Sequence, residues 1–236
     1  MASIVLLLYG FLFICCLMII FFTKKRVNLL ENNIYSINII ISFIGCILEI
    51  LTAFLFFSGY NINSPFYIFI TRLIFVYYFL WSSLFLLYLV VICYNIKKPK
   101  KWFKFVYGFL IAMSCLLLVL PFGFSGTTNS LHPTGICCSI LFTHIFGCLL
   151  IMLVLSIGNI KKIGVRKFFP IFLFFAMGTL ALWIQSIYPS LFLTTPLITF
   201  ITFITYFTIE NPDIKMLSEV TAAKDAADKA NRAKSD

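Results

Sequence analysis

The third apolar stretch of the chain, residues 65–93, reads PFYIFITRLIFVYYFLWSSLFLLYLVVIC and contains a single charged residue, Arg72. At about 1.5 Å of rise per residue, a helix of this length is long enough to cross the roughly 30 Å hydrocarbon core of a bilayer. Uninterrupted apolar runs such as residues 111–120 lack the alternation of a barrel strand. Because backbone hydrogen bonds must close within the segment in lipid, residues 65–93 predict a transmembrane helix.

Six further apolar stretches can be read from the sequence, at residues 3–22, 34–57, 105–122, 135–157, 168–188 and 190–209. The 236 residues are 62% hydrophobic and 11% charged, with a mean hydropathy of +1.06, which lies outside the range of soluble proteins. Seven spans of about 20 residues leave room only for short loops and one tail, which excludes a complete soluble enzyme domain. We predict an all-α, polytopic seven-transmembrane bundle over residues 1–209 and a cytoplasmic segment over residues 210–236.

The basic residues of the loops predict the orientation. Twelve of them fall in the first, third and fifth loops, and none falls in the second, fourth or sixth. They are Lys24, Lys25, Arg26, Lys97, Lys98, Lys100, Lys101, Lys104, Lys161, Lys162, Arg166 and Lys167. This bias predicts an outside N-terminus and a cytoplasmic C-terminus in a multi-pass plasma membrane protein. The net charge of +10 is then explained by topology and contact with anionic lipids, and no nucleic-acid partner is expected.

Two charges fall inside apolar stretches, Glu49 in the second and Arg72 in the third. Counted from the ends of their helices, both lie about 10–12 Å below the outer surface, and His144 of the fifth stretch lies at roughly 13 Å. An unpaired charge at this depth costs at least about 2–3 kcal/mol, so Glu49 and Arg72 are expected to pair. Two interpretations stay open: the three residues line a ligand-sensing pocket, or Glu49 and Arg72 form a structural ion pair with His144 hydrogen-bonded in the core.

Helix-breaking residues lie within several stretches. Pro196 falls inside the seventh stretch, where a kink is expected. Gly108, Gly147 and Gly178 predict close contacts between helices.

No pattern in the chain is typical of a catalytic, metal or cofactor site, and we predict none. The eight cysteines lie in or beside apolar stretches without disulfide or zinc spacing and are interpreted as packing residues; only Cys137 and Cys138 lie near a predicted outer end. A retinal receptor would need a lysine in a late span, and residues 168–209 contain none. A small transporter or channel remains the alternative function, although no internal repeat or paired broken helices are present.

The composition changes abruptly at residue 210, since residues 210–236 contain 11 charges and no aromatic side chain. Asn211 is a favourable N-cap and Pro212 suits the first position of a new helix. One heptad frame has five apolar residues among its seven a and d positions: Asp213, Met216, Val220, Ala223, Ala227, Ala230 and Lys234. This frame predicts a short, alanine-lined coiled coil with a second copy of the chain, the alternative being a solvated tail or a helix on the membrane surface.

Two segments of this tail read Glu210-Asn-Pro-Asp-Ile-Lys-Met and Ala222-Ala-Lys-Asp-Ala-Ala-Asp-Lys-Ala-Asn-Arg-Ala-Lys-Ser-Asp236. They resemble the signalling helix of bacterial sensor histidine kinases, in which the second segment leads into the phosphoacceptor motif Phe-Leu-x-x-Met-Ser-His-Glu-Ile-Arg-Thr-Pro. That motif would follow Asp236, so the chain itself has neither the phosphoacceptor histidine nor an ATP-binding domain, and its own enzyme status stays open.

The resemblance implies a two-component sensor. Residues 1–209 would detect a stimulus within or at the membrane, in contact with its lipids. Signal transmission would run through the tail, at Asn211, Pro212, Met216, Val220, Ala223, Ala227 and Ala230. The implied partners are a second copy of the chain, a kinase core that binds ATP, and a response regulator.

Overall fold

The computed structural model describes residues 2–24, 29–127, 130–163, 165–188 and 191–210, together with residues 220, 224, 227 and 228. Within these residues the chain forms seven α-helices and one two-stranded sheet. The elements are α1 (Ala2–Thr23), α2 (Leu30–Phe57), α3 (Pro65–Cys93), α4 (Trp102–Val119), β1 (Gly123–Thr127), β2 (Ser130–Thr134), α5 (Ile136–Ile163), α6 (Val165–Ile187) and α7 (Thr194–Thr205). A π-helical turn, Tyr206–Glu210, continues α7.

Five of these helices, α1 to α5, are long and apolar enough to cross a membrane, counted over the described residues. Shorter apolar segments lie at Phe168–Ala181 in α6 and at Thr194–Ile209 in α7 and the π-helical turn. Large apolar side chains cover the outside of the bundle; on α4, for example, Phe105 is 80% exposed and Val119 is 78% exposed. An apolar surface of this extent is compatible with a lipid environment and unlike that of a soluble monomer.

The ends of α3 agree with the sequence prediction because local signals fix them. Ser64 accepts a hydrogen bond from the backbone N–H of Tyr67 at 3.2 Å, and Pro65 occupies the first helical position, where a missing N–H is tolerated. At the other end, the helix stops at Cys93, and Asn95 has a φ of +48°, a left-handed conformation that asparagine adopts more readily than most residues.

The described chain is mainly helical, and its one small sheet, in the fourth loop, was not predicted from the sequence. The fourth loop forms an antiparallel hairpin in which Gly123 of β1 faces Thr134 of β2. Aromatic contacts attach this region to α3: the rings of Phe124 and Tyr67 lie 5.6 Å apart. The hairpin ends at Gly135, whose φ of +111° turns the chain into α5 and is a conformation open mainly to glycine.

The most buried of the five long apolar helices is α3, which packs against α2, α4 and α5. The ring of packed neighbours runs from α1 to α2, α3, α5, α6 and α7 and returns to α1. Outside this ring, α4 packs against α3. Three helices of this ring, α2, α3 and α7, carry the buried polar cluster described below.

Two expectations about helix breakers are wrong. Because α7 begins at Thr194, Pro196 lies in the first turn, where its absent N–H has no helical acceptor and no kink is required. A methyl group added at Gly108 or Gly147 would meet no atom within 4 Å, so neither glycine serves a close helix contact. The tightest contact among the described glycines is at Gly45 of α2, where an added Cβ would overlap the ring of Tyr77.

The substitution Gly45→Ala should therefore destabilise the bundle by about 1–3 kcal/mol, because the added methyl group forces the Tyr77 ring or α3 to move. The matched control is Gly108→Ala, which adds the same methyl group where nothing lies within 4 Å. Thermal unfolding in one detergent measures both. Equal melting temperatures for the two variants would contradict the close packing of α2 on α3.

Candidate functional site

A buried polar cluster lies where α2, α3 and α7 meet. Glu49 of α2 is only 6% exposed, and its Oε1 accepts a hydrogen bond from the hydroxyl group of Tyr78 on α3. The same hydroxyl lies 3.4 Å from Oγ1 of Thr195, a fully buried residue in the first turn of α7. One phenolic oxygen thus connects three helices.

Two oxygens of this cluster have no hydrogen-bond partner within the described part of the chain, Glu49 Oε2 and the Tyr77 hydroxyl. Burying an unsatisfied polar group costs about 1–3 kcal/mol, so such groups require an explanation. A carboxylate without a paired cation is more costly still inside a membrane. The Glu49 carboxyl is therefore a group that gains from a proton, a water molecule or a polar ligand.

Arg72 does not pair with Glu49 among the described residues. It donates a hydrogen bond to the carbonyl oxygen of Leu118, and its guanidinium carbon lies 5.5 Å from the centre of the Phe122 ring. Carbonyls in the last turn of a helix lack helical partners and lie at the negative end of its dipole. Arg72 thus stabilises the C-terminal end of α4, and the aromatic ring adds a cation–π contact.

The direction of the side chains around α3 explains why the two charges have different partners. Tyr78, the partner of Glu49, lies six residues beyond Arg72, so at about 100° per residue the two side chains leave α3 roughly 120° apart. Arg72 faces α4, whereas Tyr78 faces α2 and α7. The facing ends of α2 and α3 lie near one level, because Gly45 and Tyr77, which are in contact, lie equally far along the chain from Phe57 and Pro65.

His144 of α5 lies in a separate contact between α3 and α5. Its Nε2 is 2.8 Å from Ser83 Oγ and 3.3 Å from Cys148 Sγ, and its ring centre lies 4.4 Å from that of Phe79. The structure therefore does not bring together the three residues that the sequence predicted as one site. His144 is partly buried and hydrogen-bonded between α3 and α5, with partners different from those of Glu49 and Arg72.

A row of threonines on the inner face of α7, which we call the threonine face, was not recognised in the sequence. All four of its hydroxyl-bearing residues are fully buried: Thr195, Thr199, Thr202 and Thr205. Trp81 Nε1 donates to Thr202 Oγ1 at 3.2 Å, and the Tyr35 hydroxyl donates to the Thr202 carbonyl oxygen at 2.5 Å. Their spacing of three and four residues was a signal available in the sequence. Through this face, α2 and α3 bond to α7 at two levels, Thr195 and Thr202.

Beyond α7, the described part of the tail is limited. The π-helical turn contains Tyr206, which is 1% exposed and packs edge-on against Phe21 of α1. Four later residues, Val220, Lys224, Ala227 and Asp228, are helical and exposed. The other predicted transmission residues lie outside the described part of the chain: Asn211, Pro212, Met216, Ala223 and Ala230. The same holds for Asp213 and Lys234, the two polar positions of the heptad frame.

All eight cysteines are free. Cys137 and Cys138 are both buried, and Cys137 Sγ lies 3.7 Å from the carbonyl oxygen of Leu117 in α4. Within the described residues, no group of three or more His, Cys, Asp or Glu side chains is placed to hold a metal ion.

No protein-family model matches the chain, and no curated protein matches it. The functional proposal below is accordingly built on the residues of the chain and on their geometry.

The neighbouring tyrosines provide a matched test of the cluster. Tyr78→Phe should destabilise the protein by about 1–3 kcal/mol, because it leaves both Glu49 oxygens without a partner in the interior. Tyr77→Phe removes a hydroxyl that already lacks a partner and should leave the stability unchanged or slightly raised. Thermal unfolding of both variants in the same detergent measures the difference. Equal losses in the two variants would show that the Tyr78–Glu49 hydrogen bond contributes nothing.

Proposed function

We propose that the chain is the sensor and signal-transmission region of a bacterial two-component histidine kinase. The observation that carries this proposal is the position of α7. Its threonine face bonds to the buried polar cluster, and its other end leads through the π-helical turn into the tail that resembles a signalling helix. A change at the cluster would therefore act on the helix that is continuous with the output.

We propose that all seven helices span the plasma membrane. The five long helices support this assignment, and α6, with 23 residues, is also long enough to cross a bilayer. The orientation is proposed from the loops: the lysines between α3 and α4, at Lys97, Lys98, Lys100 and Lys101, are exposed, and so is Lys104 in the first turn of α4. Under the positive-inside bias, this loop and the tail are cytoplasmic and the hairpin is outside.

The proposed mechanism is a shift between two arrangements of α7. A stimulus can only change their populations if it interacts differently with each arrangement. The Tyr78–Glu49–Thr195 contact provides a place for this difference, because breaking or strengthening it changes how α7 is held. Helix shifts of about 1–2 Å are typical of such transitions and would pass along α7 into the tail.

The proposed partners follow from this assignment. The tail of a second copy would pair along the apolar a and d positions of the heptad frame, which we call the seam. Membrane lipids would surround the bundle. A kinase core with its ATP and a response regulator would act downstream, in the longer protein that the resemblance implies. The stimulus would be met within the bilayer or at its outer surface.

Pairing of the tails predicts a periodic crosslinking pattern. Cysteines introduced by Ala223→Cys, Ala227→Cys and Ala230→Cys should form disulfide-linked dimers rapidly in membranes, because the heptad frame places these positions at the interface. Crosslinked dimer is quantified on non-reducing gels.

Two positions outside the seam serve as controls, Ala222→Cys and Asp225→Cys. The tail contains no native cysteine, so each product can be assigned against the unmodified chain. Equal crosslinking at seam and control positions would refute paired tails.

The substitution Glu49→Gln tests whether the buried polar cluster is coupled to kinase activity. The chimera used for this test joins residues 1–236, in heptad register, to the kinase core of a known histidine kinase. Autophosphorylation should change by at least about fivefold, the lower end of measured coupling between sites, while insertion and tail crosslinking are retained. Gln keeps the size of Glu but cannot carry its negative charge.

Loss of insertion together with loss of activity would count against sensing and favour a structural role for Glu49. Glu49-dependent solute or proton uptake by the reconstituted chain would favour the transporter alternative.

A further inference from the structure

A cavity of about 230 Å³ lies between α3, α5, α6 and α7. Its walls include Trp81 of α3, Phe146 of α5 and Phe174 of α6. The space exists partly because residue 178 is a glycine: a Cβ added there would meet only a Leu197 methyl group, at 4.0 Å. Four helices thus surround a volume that no side chain fills.

The mouth of the cavity faces the outer surface of the bundle. Two of its wall residues, Phe142 and Phe146, are 64% and 62% exposed. They lie on α5, one turn apart, on the surface that the proposed function places against lipid. A molecule dissolved in the bilayer could therefore enter beside these rings without passing through water.

The inner wall of the cavity carries the two residues that connect α3 to the polar interior. Tyr78 and Trp81 both line the cavity. Tyr78 bonds to Glu49, and Trp81 bonds to Thr202 on the threonine face. An occupant would touch the rings of both side chains and would change the hydrogen bonds that hold α7.

The lining defines the class of ligand. None of the lining residues is charged, so an ionised ligand would be buried without a partner. The hydroxyl of one polar lining residue, Ser82, already donates to the Phe79 carbonyl oxygen at 3.0 Å. Aromatic walls favour offset or edge contacts with another ring. For scale, an apolar cavity of about 150 Å³ engineered into another protein binds benzene.

We propose that this cavity binds a small, uncharged aromatic molecule, of the size of a substituted benzene, that enters from the bilayer. The effect of binding on the tail rests on the proposed sensor function, whereas binding itself does not.

The test uses Trp81 as a contact reporter. The chain has 3 tryptophans, and Trp102→Phe with Trp183→Phe, both at exposed positions, leaves Trp81 as the only one. The full chain is placed in phosphatidylcholine nanodiscs and titrated with bromobenzene, whose heavy atom quenches tryptophan fluorescence on contact. We expect saturable quenching. Quenching that rises linearly with bromobenzene would overturn the site.

Filling the cavity should remove this binding. Gly178→Phe should weaken the saturable quenching by at least about tenfold, because its ring takes the volume of the ligand. Ala181→Leu, at another lining position, provides a second filling variant should Gly178→Phe fail to fold. Gly158→Phe is the matched control, since nothing lies within 4 Å of a Cβ at Gly158, and it should bind like the parent. Unchanged binding in both filling variants would overturn the proposal.

A second arm distinguishes a free aromatic molecule from a lipid acyl chain. Nanodiscs made of phosphatidylcholine brominated on its acyl chains should quench Trp81 no more in the parent than in Gly178→Phe. Strong quenching by these lipids in the parent alone would assign the cavity to acyl chains and overturn the proposal. Saturable bromobenzene binding that leaves tail crosslinking unchanged would support the site while counting against the sensor function.

Discussion

The hydroxyl of Tyr78, shared between Glu49 and Thr195, is the contact on which the arrangement of the interior depends. In a bilayer, buried polar groups cannot turn to water, so a hydrogen bond between helices that satisfies one of them is favourable. The contacts of Tyr78 therefore require particular rotations of α2, α3 and α7 about their axes. The close approach at Gly45 adds to this requirement, because the Tyr77 ring next to Tyr78 lies directly against α2.

The two charges inside the apolar helices are accommodated by different means. Arg72 meets the last turn of α4 and an aromatic ring, contacts that use its charge to close the end of a helix. Glu49 has one satisfied oxygen and one without a partner among the described residues. Arg72 satisfies a carbonyl group at the end of α4, so its role is structural and does not depend on the stimulus. An incompletely satisfied carboxyl is the kind of group whose surroundings can change, which is why the proposed mechanism places the switch at Glu49.

The sequence predicted the helices well and the site poorly, for physical reasons. Hydrophobic runs fix the existence and approximate ends of α1 to α5, and Ser64 with Pro65 fix the start of α3. The partners of Glu49 and Arg72 could not be obtained in the same way, because they depend on the direction in which each side chain leaves its helix. Attention to charged residues also missed Tyr78 and the threonine face, whose hydroxyls become significant only when helices bring them together. The hairpin carried no strong strand pattern, and most of the tail lies outside the described residues.

The π-helical turn at Tyr206–Glu210 affects the rotation of the following chain about the helix axis as well as its position along that axis. A π-helix closes its hydrogen bonds over one more residue than an α-helix, so each of its residues turns the backbone through a smaller angle than the 100° of an α-helix. Converting five residues from one form to the other would rotate everything that follows by roughly a quarter turn without breaking the chain. If a small axial displacement of α7 converted this turn, the tail would rotate about the helix axis.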